Sequence, residues 1–194
     1  DLLRRDVKKE KVAILSELAA IQAGIDPESR ISLIAAALTE NIAMIDLQDT
    51  LQKQQSPLTE IQASSIRQHP VKAAEILRNA GVQDELWLDT VLHHHERTDG
   101  SGYPGALRGS EVSKPVRIMA LADIYSAMIS PRHYRLAKFS GETLRDTFLA
   151  RSTEIDKELS GLFISHIGMF PPGTFVTLKN NETSIVIRRG TDGK

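Results

Sequence analysis

The feature that most constrains this chain is a run of three histidines that leads directly into a glycine-rich loop. Residues 93–104 read HHHERTDGSGYP, and these three histidines are half of the six in the chain. The preceding residues 84–92, DELWLDTVL, have the mixed apolar and polar spacing of an amphipathic helix. Extending that helix places His94 and His95 on its apolar side and His93 on its polar side. The sequence therefore predicts two imidazoles at the core end of a helix.

Two adjacent inward-facing imidazoles have two explanations. Neutral imidazole is the commonest protein ligand for borderline metals, so the cluster could hold a metal ion or line a phosphate pocket. The alternative is a pair of core histidines that are hydrogen-bonded to their neighbours. The loop that follows is punctuated by glycines and a proline, which allow close backbone approach and hold Tyr103 at a fixed angle.

The pattern HHE, two further residues and DGSGYP over residues 94–104 resembles the second half of the HD-GYP signature. That signature marks a bacterial family of metal-dependent phosphodiesterases that act on the cyclic dinucleotide c-di-GMP. The resemblance covers most of the chain and implies an all-α fold, the HD-superfamily helical bundle with a small C-terminal β-hairpin. It also implies a bacterial, cytoplasmic signalling protein. The loop residues that carry the resemblance are Asp99, Gly100, Gly102, Tyr103 and Pro104.

The chain departs from the family where the resemblance implies the His-Asp dyad. Glu40 stands in place of a histidine ligand, Asn41 in place of the metal-bridging aspartate, and Met44 in place of a lysine that contacts phosphate. In a two-metal site a bridging carboxylate holds the ions about 3.5 to 4 Å apart, and a neutral amide bridges poorly. Glu40 could still bind a hard ion through its carboxylate. We therefore assign no catalytic residue and treat Glu40 and Asn41 as degenerate positions.

Other ligands that the resemblance implies are retained. His69, His94 and His95 correspond to the ligand set of one metal, and Asp123 corresponds to a ligand of the other. Three imidazoles with an open position suit one divalent ion, which could be iron, manganese or zinc. The alternative is a pocket without an ion that is held together by hydrogen bonds.

Two arginines correspond to the nucleotide-binding positions of the family. Arg132 and Arg135 match the basic residues that contact the phosphates of c-di-GMP in family members. A guanidinium suits this task because its planar fork can bind a phosphate through two hydrogen bonds. The alternative is that both arginines are ordinary surface charges near the end of a helix.

Composition narrows the range of functions. The chain has 24 basic and 25 acidic residues, which does not favour binding to duplex nucleic acid or to an anionic membrane. The absence of cysteine excludes disulfides and thiolate metal sites and fits a reducing cytoplasm. We find no apolar run that reads as a membrane segment. A length of 194 residues fits one domain.

Helix signals predict three regions. Residues 1–24 form an N-terminal helix that could continue from an upstream linker, 25–170 form the HD-GYP-like helical domain, and 171–194 form a β-hairpin packed on the same domain. Thr59 and Gln62 predict a capping box for a helix that ends near His69, because Pro70 follows and opens the next helix.

Two functional hypotheses of different class follow. The first is a degenerate HD-GYP domain that works as a non-catalytic module, either sensing c-di-GMP or docking GGDEF-type or other signalling proteins through the GYP loop. The second is a weak or unusual c-di-GMP phosphodiesterase that uses the histidines with Glu40 or Asp123 on a single ion.

Overall fold

The computed structural model of this chain describes residues 2–129, 141–152, 155–168, 175–178, 180 and 182–187. Within that part of the chain the secondary structure is dominated by helices. They are α1 (Leu2–Gln22), α2 (Pro27–Thr39), α3 (Ile45–Lys53), α4 (Glu60–Asn79), α5 (Glu85–His93), α6 (Lys114–Ile129), α7 (Gly141–Ser152) and α8 (Lys157–Leu162). Short 3₁₀ turns lie at Ile42–Met44 and Gly109–Glu111, and a π-type turn at Phe163–Ile167 extends α8.

The helices form one bundle around a continuous apolar core. Helix α1 packs against α2 and α6, α2 packs against α5, and α5 packs against α4 and α6. The largest buried side chains of this core include Leu33, Ile118, Tyr125, Phe148 and Phe163. The predicted all-α bundle is therefore confirmed, and its core holds α4, α5 and α6 in fixed relative positions.

A short hairpin follows the helices. Strands β1 (Phe175–Thr177) and β2 (Thr183–Ile185) pair antiparallel, with Val176 opposite Ser184. The predicted C-terminal hairpin is therefore present. Residues 169–174 lie outside the described part of the chain, so the predicted boundary between 25–170 and 171–194 stays a prediction.

The starts of two helices were predicted correctly from local signals in the sequence. Asp26 caps α2 and accepts a hydrogen bond from the backbone N–H of Ser29 at 3.0 Å, and Pro27 occupies the first turn. Thr59 and Gln62 form the expected reciprocal capping box at the start of α4. These local interactions satisfy the backbone donors that a helix start leaves without partners.

The prediction that a helix ends near His69 was wrong. Helix α4 runs without interruption through Pro70, which lies in its interior. Proline has no N–H, so the carbonyl of Ile66, four residues earlier, loses its helical donor. The ring of His69 supplies a replacement, because its Nδ1 lies 2.6 Å from that carbonyl oxygen.

The stretch that contains Glu40 also differs from its expected form. The periodicity over residues 31–45 predicts one helix, but α2 ends at Thr39 and a 3₁₀ turn precedes α3. This 3₁₀ turn packs against α4, the helix that carries His69.

One stretch of the chain passes a composition test for a membrane span. Residues Pro27–Leu51 are long and apolar enough to cross a membrane by length and composition alone. The structure breaks this stretch between Thr39 and Ile45, and α2 packs against α1 and α5. A helix that contributes to a protein core passes the same composition test, so this stretch is weak evidence for a membrane span.

Candidate metal centre

Three histidines converge where the C-terminal end of α5 meets the middle of α4. His69 comes from α4, and His94 and His95 come from the turn directly after α5. One ring nitrogen from each of the three lies within 4.8 Å of the others. His69 and His94 are buried, and His95 is half-buried. The structure therefore brings together the three histidines that the resemblance implied.

Backbone carbonyls fix the protonation pattern of two of these rings. Nδ1 of His69 lies 2.6 Å from the carbonyl oxygen of Ile66, and Nδ1 of His94 lies 2.7 Å from that of Val91. A carbonyl oxygen only accepts hydrogen bonds, so Nδ1 must carry the proton in both rings. Each neutral ring then presents the lone pair of Nε2.

These two lone pairs face each other. The Nε2 atoms of His69 and His94 are 3.2 Å apart. Two acceptors at that distance repel unless a proton or a cation lies between them. Two imidazoles on one tetrahedral zinc, at zinc–nitrogen distances of about 2.0 to 2.1 Å, would have their nitrogens about 3.3 Å apart. The observed spacing therefore fits two ligands of a single ion, and the cluster could hold a metal.

The environment of His94 disfavours a proton at this point. Burial lowers the pKa of His94 well below its usual value, and the neighbouring His95 and His69 lower it further. The hydrogen bond to Val91 and the negative charge of Asp123 act in the opposite direction, with smaller effect. His94 is therefore a neutral donor at neutral pH, which is the form that binds a metal ion.

Tyr103 packs against the third histidine. Its ring stacks on that of His95 with centroids 4.7 Å apart and planes inclined by 25°. The guanidinium carbon of Arg67 lies 5.9 Å from the centroid of the Tyr103 ring. Burial raises the pKa of Tyr103, while the charges of Arg97 and Arg67 partly offset that rise. The aromatic residue of the loop thus supports the histidine cluster.

Glu96 holds the loop in place from inside the protein. Its carboxylate is fully buried and accepts hydrogen bonds from the backbone N–H groups of Gly105 and Leu107, the latter at 3.0 Å. The loop also passes so close to this residue that a Cβ added at Gly102 would lie 2.4 Å from the Cα of Glu96. A side chain at position 102 is therefore excluded by backbone contact.

Asp99 shapes the same loop and does not reach the histidines. Its Oδ1 accepts a hydrogen bond from the N–H of Ser101 at 2.8 Å. Hydrogen bonds from the side chain and the backbone of Ser101 lower the pKa of the Asp99 carboxyl. Gly100 has a φ of 83°, in the left-handed region that glycine tolerates. Ser101 and Pro104 are exposed on the outer side of the loop. The loop therefore has an inner face, Tyr103, and an exposed outer face.

The two residues at the dyad positions contact each other. Glu40 and Asn41 are buried, and the side-chain N–H of Asn41 donates to Oε1 of Glu40 at 2.8 Å. Neither residue belongs to the three-histidine group of ligand atoms found among the described residues. The amide N–H of Asn41 is thus used in a hydrogen bond to one carboxylate oxygen of Glu40.

The other predicted site residues are placed less completely. Asp123 lies on α6, is half-buried, and acts electrostatically on both His94 and Tyr103. It does not belong to the three-histidine group either. Arg132 and Arg135 lie outside the described residues.

Sequence reasoning predicted no role for two of the site's supporting residues, Glu96 and Arg67. The available signal for Glu96 was its position between the histidines and the glycine loop. An acidic residue there can serve as an acceptor for loop N–H groups. Nothing in the spacing of the sequence indicates that Arg67 lies over Tyr103, because that contact depends on how α4 packs against the loop.

Comparisons with known proteins agree with this geometry. Residues 4–159 match the family described as HD domain. A cyclic di-GMP phosphodiesterase from Pseudomonas aeruginosa is 29% identical over 154 residues, which cover 79% of this chain and 37% of that protein. A cyclic di-GMP phosphodiesterase from Borreliella burgdorferi is 25% identical over 175 residues, covering 90% of this chain and 46% of that protein.

A third relative comes from another bacterium. A cyclic di-GMP phosphodiesterase from Thermotoga maritima is 32% identical over 138 residues, covering 71% of this chain and 38% of that protein. The chain thus spans less than half the length of these three relatives. The match over residues 4–159, the histidine cluster and the DGSGYP loop together show that this chain belongs to the HD domain family, among relatives of the HD-GYP type.

Proposed function

We propose that this chain is a catalytically degenerate HD-GYP domain that acts in c-di-GMP signalling as a binding module. In this proposal it binds c-di-GMP without hydrolysing it, and the three histidines hold a single divalent ion. The names of the relatives, which are cyclic di-GMP phosphodiesterases, support the ligand class. The state of the dyad positions supports the loss of catalysis.

The hydrogen bond between Asn41 and Glu40 carries the proposal. Hydrolysis on two metals needs an anionic group that bridges them, because the ions must be held about 3.5 to 4 Å apart. Asn41 is neutral, and its N–H side is directed at Glu40 at 2.8 Å. One amide oxygen without charge cannot offset two dications, so the second ion lacks its bridging ligand.

A single ion would retain part of the chemistry. His69, His94 and His95 would hold it, and a bound ion would supply Lewis-acid polarisation of a phosphate oxygen. Side chains of this chain would supply the remaining contacts to the ligand. His95 is held by stacking with Tyr103, and that contact keeps its ring beside the other two.

Incubation of the purified chain with c-di-GMP and excess Mn²⁺ or Fe²⁺ tests this function. We expect c-di-GMP to bind, as measured by isothermal titration calorimetry, and no linear dinucleotide to form, as measured by chromatography. Turnover that is abolished by His94→Ala would overturn the proposal, since it would show catalysis at this cluster.

Docking of a signalling partner is a second form of the same module. The outer face of the loop, at Ser101 and Pro104, is exposed and is held from inside by Glu96. A GGDEF-type protein is the partner to test. If it docks on this face, Ser101→Arg should abolish the complex in a pull-down and leave ion binding intact. Equal binding by the wild type and the Ser101→Arg variant would exclude this face.

The three-histidine cluster itself favours a second candidate function, a weak single-metal phosphodiesterase. Its lone pairs face each other at a spacing that suits a catalytic ion with open coordination positions. This function requires a stoichiometric ion in the purified protein and slow release of linear product. Metal analysis showing far less than one ion per chain after loading would exclude it.

A further inference from the structure

Pro70 occupies an unusual place in the helix that carries His69. In an α-helix each backbone N–H donates to the carbonyl four residues earlier, so the N–H of residue 70 would normally bond the carbonyl of Ile66. Proline has no N–H, and Pro70 lies inside α4. Pro70 therefore removes one helical hydrogen bond, the one that the carbonyl of Ile66 would accept.

The group that replaces the missing donor is the imidazole of His69. Its Nδ1 lies 2.6 Å from the carbonyl oxygen of Ile66. This bond fixes the proton on Nδ1 and fixes the direction of the ring. As a result Nε2 is the unprotonated nitrogen, and it lies 3.2 Å from Nε2 of His94.

The same arrangement occurs at His94 for a different reason. Helix α5 ends at His93, so the carbonyl of Val91 is among those that a helix end leaves without a backbone donor. Nδ1 of His94 lies 2.7 Å from this carbonyl. Both rings are thus oriented by a helix carbonyl three residues earlier that has lost its usual partner. A helix end supplies the carbonyl in one case and a proline in the other.

We propose that Pro70 is a positioning residue for the ion site, acting through the carbonyl of Ile66 to set the tautomer and orientation of His69. This inference rests on the proposed single-ion site for its effect on metal binding. The effect of Pro70 on the tautomer and orientation of the His69 ring does not depend on whether an ion binds. The two can therefore be measured separately.

The substitution Pro70→Ala restores the backbone N–H and allows it to take the Ile66 carbonyl. His69 then loses sole use of that acceptor, and its ring is free to adopt the other tautomer. We expect the affinity for Zn²⁺, measured by competition with a chelator, to fall by about 10- to 100-fold, which is the usual cost of losing a group that orients a metal ligand. We expect the melting temperature of the metal-free protein to stay the same or rise, because alanine favours a helix interior.

Long-range ¹H–¹⁵N correlation spectra of the histidine rings give a second readout that a purely structural role would not change. In the metal-free wild type we expect the pattern of a ring protonated on Nδ1 for His69, and in Pro70→Ala we expect a mixture or the reverse pattern. Replacing Pro70 with lactic acid, an ester unit that also lacks an N–H, should keep the wild-type pattern. Pro27→Ala, at the first position of α2, is the matched proline control and should change neither readout.

The outcomes separate the two proposals. An unchanged His69 tautomer in Pro70→Ala would overturn the role of Pro70, whatever the metal affinity. A changed tautomer in Pro70→Ala, in a protein whose wild type binds no Zn²⁺, would support the role of Pro70 and overturn the single-ion site. A loss of affinity that is accompanied by a lower melting temperature and an unchanged tautomer would indicate that Pro70 is only structural.

Discussion

The candidate centre has two halves, the three-histidine cluster and the pair Glu40 and Asn41. The polar groups of these two halves are bonded in different ways. On one side, His69, His94 and His95 each bring a ring nitrogen within 4.8 Å of the others, and backbone carbonyls accept hydrogen bonds from Nδ1 of His69 and His94. On the other side, Glu40 and Asn41 form a hydrogen bond with each other inside the protein. The histidine half thus brings ring nitrogens together, and the dyad half forms a hydrogen bond within itself.

Under the proposed function, this difference would explain how the fold is kept with a single ion. A buried carboxylate without a cation is costly unless it is hydrogen-bonded. The amide N–H of Asn41 donates one hydrogen bond to Glu40, and in the proposed single-ion site this bond would help to stabilise the carboxylate in place of the second ion. A neutral imidazole carries no charge, so its burial costs less than the burial of a carboxylate.

The largest expected effect comes from restoring the charge at the dyad. Asn41→Asp would place a second carboxylate against Glu40, where the side chains are now 2.8 Å apart and buried. We expect the free energy of unfolding in chelator, measured by urea denaturation, to fall by about 3 kcal/mol, as for other uncompensated buried charges. Asn180→Asp, at an exposed turn position, should cost less than about 0.5 kcal/mol.

Metal addition turns this variant into a test of the comparison itself. In one outcome Mn²⁺ restores the lost stability and a second ion binds to Asn41→Asp. That result would mean that the dyad side keeps the geometry of a metal site and that only the charge at residue 41 was missing. If stability is not restored, the dyad side has lost its arrangement as well.

The next largest effect is expected at the histidines. His94→Ala should reduce Zn²⁺ affinity by more than about 100-fold, because losing a ligand costs more than losing a group that only orients one. His93→Ala is the matched control, since its ring is bonded to Asp89 at 2.7 Å and does not belong to the cluster. Calorimetric titration of both variants checks this. Equal loss in the two would show that the ion does not bind at the cluster.

The smallest effect is expected at Tyr103. Tyr103→Ala removes the ring that stacks on His95, and such ring pairs contribute about 1 kcal/mol, so Zn²⁺ affinity should fall about fivefold. Tyr103→Phe keeps the ring and should change affinity by less than about twofold, because only the hydroxyl is lost. The same titration distinguishes the two. A larger loss with phenylalanine than with alanine would indicate that the hydroxyl, and not the stacking, matters.

Much of the fold could be predicted from local signals in the sequence. Capping at Asp26 and at Thr59 marked two helix starts, and the spacing after Asp84 placed His94 inside the protein. The effect of Pro70 was predicted wrongly. Proline leaves the carbonyl four residues earlier without its backbone donor, and its effect on the helix depends on whether that carbonyl finds another donor. In this chain the donor is a ring on the preceding residue, which no count of helix propensities includes.

The support of the site was harder to predict than its ligands. The type and spacing of the histidines indicate metal ligation, but the two hydrogen bonds from loop N–H groups to Glu96 and the contact of Arg67 with Tyr103 depend on packing. The hydrogen bond between Asn41 and Glu40 also requires the backbone to turn out of α2 at that point. Such contacts follow from the fold and are not visible in the spacing of residues.

Counting the ions bound per chain tests the central claim most directly. The purified protein would be loaded with excess Mn²⁺ or Zn²⁺, freed of unbound metal by gel filtration and measured by mass spectrometry of the elements. The account predicts one ion per chain, lost in His94→Ala and kept in His93→Ala. Two ions per chain in the wild type would contradict it, because the substitutions at positions 40 and 41 would then not have reduced the site to a single ion.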